Sequence, residues 1–260
     1  MRTLHAEWTK LRTVRSTAWL LLAVVVLITG LSWAVTGTLD IRHCEPPECY
    51  EDTTKLSLMG VWLGQVAVVI LAVLMVSNEY ASRMISTTLV AQPRRLRVLA
   101  GKLALVTVVT LVAGALGVGG SLLVARSMLP GNGFTPANGY ASLSLADALT
   151  RRAAGGSVLY LGLVALLAAG VAVIVRDTAG AITAVLGLLY GGPMISAFLT
   201  DPHWQHRVER YAPMHAGLAI QSTRDLAKLA IGPWAGLGLL SAYAGAAVLI
   251  GALLFRFRDA

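Results

Sequence analysis

Charge is what this sequence has least of. Asp, Glu, Lys and Arg make up 13% of its 260 residues against 56% hydrophobic, and the mean hydropathy is +0.71. No soluble core needs that much apolar side chain, so the composition describes an integral membrane protein. The little charge present is unbalanced, with 21 Lys and Arg against 13 Asp and Glu, a net +8 and a pI near 9.9. In a soluble protein that balance would raise the question of nucleic acid. Here the basic residues cluster at the ends of apolar runs and no basic surface interleaved with aromatics is present. Orientation and contact with anionic lipid headgroups account for them, and no nucleic-acid partner is expected.

Motifs of catalysis are missing as well. There is no G-x-x-x-x-G-K-[ST]: Gly101 and Lys102 lead straight into Leu103 and an apolar run, so the chain lacks that phosphate cradle. There is no G-x-S-x-G elbow or H-E-x-x-H, and Ser121 and Ser157 have no histidine in the same layer. The chain is therefore read as no enzyme, with no cofactor of its own. Six apolar runs carry no Asp, Glu, Lys, Arg or His away from their ends, whereas carriers driven by protons or ions keep such groups near the bilayer midplane. Uphill movement of a solute would need energy from outside the chain.

Cysteine is scarce too. Cys44 and Cys49 stand close together in CEPPEC within an acidic stretch. On the oxidising side of a membrane they suit a local disulfide, two free thiols being the alternative. With His43 they fall short of a four-ligand metal set. His203, His206 and His215 cluster later in the chain, but without carboxylate or thiol partners at ligand spacing they read as solvated histidines, and no metal is expected.

What is present is a pattern of spans. The apolar runs predict six transmembrane helices over Thr17–Leu39, Leu58–Val76, Leu103–Ala125, Gly156–Val175, Gly180–Leu199 and Trp234–Phe255, an all-α integral membrane fold in a single domain. The chain is organised around residues 78–102, NEYASRMISTTLVAQPRRLRVLAGK. As a helix this stretch puts Glu79, Ser82, Arg83, Ser86 and Thr87 on one face and Ala81, Met84, Ile85, Thr88 and Leu89 on the other, and Pro93 stops it before Arg94, Arg95 and Arg97. Basic residues beside spans stay cytoplasmic, which places this loop and both chain ends inside. Residues 1–16, with Leu4, Trp8 and Leu11 on one stripe, read as an interfacial helix ahead of an uncleaved first span.

Three further segments carry expectations. Residues 126–155 form an outside loop with a short helix over Leu143–Arg152. Arg176 to Ala179 close a tight cytoplasmic hairpin between the fourth and fifth spans. Residues 200–233 lie outside, with a helix-like run over Pro213–Ile231 that sits on or dips into the outer leaflet. Gly60 and Gly64, and Gly114, Gly117, Gly119 and Gly120, mark close helix contacts. Gln65, Thr107, Thr110, Thr183, Tyr190 and Ser196 are polar positions inside spans, facing either a translocation path or other helices.

EWTKLRTVRST before the first span, the central loop, RDTAGAI between the fourth and fifth and the closing FRFRDA resemble a permease subunit of the ABC-2 type transporters, over essentially the whole chain. The resemblance implies an elbow helix at residues 1–16, a coupling helix over Glu79–Ala91 and re-entrant or surface helices at Pro213–Ile231. It implies a dimer with a second permease subunit, each bound to a separate ATP-binding subunit that holds ATP and Mg. Contacts to that subunit would be Glu79, Arg83, Ser86, Arg94 and Arg95. The expected activity is export of a drug-like, antibiotic or lipid-like cargo across a bacterial cytoplasmic membrane. The alternative is a non-transport immunity, sensor or assembly subunit whose central loop is only a connector.

Overall fold

The structure is a computed structural model that describes residues 15–39, 51–81, 95–138, 140 and 143–257. Both cysteines, most of the central loop and the expected elbow helix up to Val14 lie outside the described residues, while Arg15 and Ser16, expected at its end, begin α1. Nine α-helices are described: α1 Arg15–Thr38, α2 Thr53–Ser57, α3 Val61–Ala81, α4 Arg95–Met128, α5 Ala148–Val175, α6 Thr178–Phe198, α7 Pro202–Tyr211, α8 Pro213–Leu218 and α9 Pro233–Phe257. Five of them, α1, α4, α5, α6 and α9, are long and apolar enough to cross a membrane, while the apolar part of α3 is the shorter Val61–Ser77. The chain thus has the character of a multi-pass membrane protein.

Aspartate and proline set the starts of several of these helices. Asp52, Asp147, Asp177 and Asp201 cap α2, α5, α6 and α7, each carboxylate accepting a backbone N–H of the first turn. Pro202, Pro213 and Pro233 open α7, α8 and α9, where a missing N–H costs nothing. For Asp147 the Thr150 N–H lies at 2.9 Å and holds the carboxyl below its usual range. Arg176, in the left-handed region at φ 59°, ends α5 and Asp177 starts α6. The hairpin is therefore even tighter than expected, two residues rather than four.

The central helix is α5, packed against α3, α4, α6 and α9, with a continuous buried set that includes Tyr160, Leu161, Val164, Ala165, Ala168 and Ala169. Small residues let its neighbours approach. A Cβ on Gly170 would lie 2.7 Å from the backbone of Ala247 on α9. On the other flank Ile28 of α1 is held in a socket of glycines: a Cβ on Gly60 would meet its carbonyl oxygen at 1.8 Å, on Gly64 its Cγ1 at 2.3 Å, and on Gly117 its Cδ1 at 2.9 Å. These glycines are the close contacts the sequence marks, made without a Cβ in the way. Gly119 faces open space.

Several boundaries differ from expectation. The second span does not end at Val76 but runs on as α3 through Ala81, so the backbone of Glu79 belongs to that helix. α4 begins at Arg95 and is 34 residues long, roughly 51 Å at 1.5 Å per residue, which exceeds a hydrocarbon layer of about 30 Å. Lys102, read as a span end, is thus two turns inside a helix and buried. The separate helix expected over Leu143–Arg152 is absent: Asp147 starts α5 itself, which puts Arg151 and Arg152 in the first turn of a long helix. The Pro213–Ile231 run is broken rather than continuous. It gives α8 and a 3-10 turn over Ala219–Gln221, then an irregular return with Asp225 in the left-handed region and a second 3-10 turn over Leu226–Lys228.

Candidate functional site

One end of the bundle is capped, and the site lies there. After α6 the chain crosses the surface as α7, none of whose residues is buried. It then turns inward as α8 and the Ala219–Gln221 turn, packing against α9, α5 and α6. Met214, Ala216, Ile220 and Gln221 are buried, so this segment is a plug inserted between helices. Glycine makes the space: a Cβ on Gly236 would lie 1.8 Å from the Ala216 carbonyl oxygen, on Gly156 2.0 Å from Ile220 Cγ1, and on Gly192 2.3 Å from the Ala212 Cβ. Gly217 sits against the Tyr160 ring, roughly 18 Å along α5 from its start. The plug therefore dips well into the bundle.

Beneath the plug is a polar cluster. The Tyr160 hydroxyl donates to Gln65 Oε1, and Gln65 Nε2 reaches the Trp62 carbonyl at 3.1 Å and Met214 Sδ at 3.3 Å. The Tyr190 hydroxyl donates to the same Trp62 carbonyl, and its ring stands edge-on to Trp62 at 5.3 Å. Gln65 and Tyr160 are fully buried, where an unpaired amide or hydroxyl would be costly. Together these bonds tie α3, α5 and α6 to α8. Further polar contacts lie to either side of it: Gln221 Nε2 donates to Ser157 Oγ at 3.1 Å nearer the start of α5, and the Thr178 hydroxyl donates to Ser77 Oγ at 2.8 Å at the opposite end of the bundle.

Above the cluster lies a half-open cavity of about 590 Å³ between α2, the start of α3, α7, α8 and the return segment. Met59, Trp62, Met214, Leu218 and Ile231 give it apolar walls, and Lys55, Glu209 and His215 contribute polar groups. His215 Nδ1 is buried with no hydrogen-bond partner. Burial lowers the pKa of this imidazole from 6.5, with Glu209 pulling it up and Lys55 lowering it further. The folded protein thus binds this proton less readily than the unfolded chain does. Stability is full above the ordinary imidazole value and falls as pH drops through it toward the lowered one. We expect the melting temperature to fall by about a degree or two on moving from neutral to mildly acid buffer, the half-exposed ring keeping the effect small. The change should shrink in His215→Gln, as followed by thermal unfolding.

The return segment is fastened by the cap of α2. Asp52 accepts the backbone N–H groups of Thr223 and Arg224 and the Thr223 hydroxyl as well as the Lys55 N–H. Arg152 donates to the Ser222 carbonyl, and the Arg224 guanidinium lies 5.1 Å over the Tyr140 ring. Asp52→Ala removes four acceptor contacts at once. At about 1 kcal/mol for each charge-assisted bond, discounted for partial exposure, trypsin should cut at Lys228 at least about tenfold faster in the variant. Equal cleavage rates would remove Asp52 as the fastening.

The positions singled out in the sequence are thus dispersed. Gln65 and Tyr190 meet in the cluster. The Thr107 hydroxyl returns to the Leu103 carbonyl at 2.7 Å and lines a separate apolar groove of about 340 Å³ between α4, α5 and α9. Thr110 Oγ1 is buried without a partner, Ser196 Oγ donates to the Pro193 carbonyl at 3.0 Å, and Thr183 is exposed on the outside of α6. His203 and His206 are exposed on α7, and among the described residues no group of three His, Cys, Asp or Glu could hold a metal. Arg83, Ser86 and Arg94, with Cys44 and Cys49, lie outside the described residues, and the side chains of Glu79 and Arg95 are likewise not described. Tyr160, Asp52, Lys55 and Glu209 were not singled out. Tyr160 carried a signal, as a tyrosine in an otherwise aliphatic run, whereas Asp52 and Lys55 read only as loop charge.

No known protein family's sequence profile matches the chain, and no curated protein matches it at a significant level.

Proposed function

We propose that the chain is the membrane-spanning permease subunit of an ATP-driven exporter of the ABC-2 type, working in a bacterial cytoplasmic membrane as one of two such subunits. The observation that carries this reading is the plug: a buried helical insertion between the last two long helices, the place where the resemblance puts re-entrant helices. α3 would be the sixth span, the capped end would face outward and residues 79–91 would dock a separate ATP-binding subunit. The apolar character of the spanning helices adds support, since a chain without midplane ionisable groups needs an external source of energy.

The test is purification of the tagged chain in mild detergent from its native membrane, with identification of what stays bound. A stoichiometric nucleotide-binding subunit is expected, lost on doubled Arg94→Glu and Arg95→Glu while the chain still inserts. Recovery of the chain alone, without ATPase activity, would overturn the exporter reading and favour a sensor, immunity or assembly role.

A further inference from the structure

The cavity at the capped end has a chemistry that the exporter reading does not use. It has three ionisable groups on three different elements, Lys55 on α2, Glu209 on α7 and His215 on α8. Among the described residues none of the three side chains makes an ion pair or hydrogen bond. They are near enough for both Lys55 and Glu209 to act on His215, yet Lys55 and Glu209 do not pair with each other. Both charges therefore line an apolar cavity and are open to a molecule bound in it.

The walls specify the rest. Trp62 and the thioethers of Met59 and Met214 offer a polarisable, deformable surface that accepts chains and rings of varied shape. Lys55 supplies one positive charge, Glu209 one negative charge, and His215 a further polar group between them. A simple anion would meet the Glu209 carboxylate, and a simple cation the Lys55 ammonium; a head carrying one of each satisfies both.

We propose that this cavity is a binding site for a zwitterionic amphiphile, its acid held by Lys55, its amine by Glu209 and its apolar body against Met59, Trp62 and Met214. The site belongs to this chain alone and does not depend on a partner ATPase. The same chemistry is found in an aminophospholipid of the bilayer and in a free amphiphile carrying an acid and an amine.

The test uses the full-length chain in nanodiscs, with binding counted by native mass spectrometry. The probes are lauroyl lysophosphatidylethanolamine, the anion lauroyl lysophosphatidylglycerol and the cation dodecyltrimethylammonium. One copy of the zwitterion should bind at least about tenfold more tightly than either singly charged probe. Lys55→Gln should erase the preference over the cation, and Glu209→Gln the preference over the anion. Both residues stand at the cavity rim, so both variants should fold, which their melting temperatures would check. Equal affinity for the three probes, or an unchanged order in both variants, would overturn the site and leave only nonspecific lipid contact. The source is read from protein purified without added probe. One phosphatidylethanolamine retained per chain, and lost in the double variant, identifies the bilayer, while an empty chain that binds the probe identifies a free amphiphile. Because no nucleotide or partner enters the assay, its failure would leave the exporter reading standing, and the reverse also holds.

Discussion

Gly236→Ala should abolish the folded, monodisperse protein, whereas Gly238→Ala, two residues further along α9, should melt within about a degree of the parent. A Cβ at position 236 would lie 1.8 Å from the Ala216 carbonyl oxygen and 2.7 Å from its carbon, while one at 238 meets nothing within 4 Å. The obstacle is backbone on a buried helix, so no rotamer change relieves it, and α8 would have to lift from α9 by more than an ångström. Alanine favours the helix over glycine by about 1 kcal/mol. That gain applies equally at both positions and is outweighed at 236 by a clash costing about 3 kcal/mol or more. Size-exclusion elution and thermal unfolding in detergent would measure the contrast. Parent-like behaviour of Gly236→Ala would mean that the plug is not seated against α9 in this way.

The contrast also shows where sequence reading reaches its limit. Both glycines stand in GLGLL-like apolar context within one span, and nothing local separates them; the distinction comes from Ala216, twenty residues away in the chain. Long apolar helices were legible because hydropathy acts residue by residue, and so was a tight hairpin between the fourth and fifth of them, expected over Arg176 to Ala179. Helix starts were less so. α4 and α5 both begin about eight residues ahead of their apolar runs, at Arg95 and Ala148, because a helix continues past the membrane boundary where polar side chains suit it. The Pro213–Ile231 run has leucines at helical spacing, yet the chain leaves the helix after Gln221, where Asp52 takes the N–H groups of Thr223 and Arg224. That competition is decided by a residue on another element, which periodicity does not see. For the same reason the cavity was invisible: Lys55, Glu209 and His215 share no spacing, only a place.

Tyr160→Phe and Gln65→Leu should each destabilise the chain by about 1–2 kcal/mol, and the double variant should lose less than the sum of the two. Removing the phenol oxygen leaves buried Gln65 Oε1 without its donor, and removing the amide leaves the buried phenol without its acceptor. Either change leaves one polar group fully buried without that bond. Removing both leaves an apolar contact of nearly the same volume, which is why the coupling should be negative. A bonded pair between helices in a membrane is worth only about 0.6–2 kcal/mol, so most of each single loss is the cost of the orphaned group. The amide also holds the Trp62 carbonyl and Met214 Sδ. Gln65→Leu should therefore loosen the plug as well, raising trypsin cleavage at Lys228 where Tyr160→Phe does not. Additive losses in the double variant would mean that the two side chains act in separate environments, and the cluster would no longer explain the height at which the plug sits.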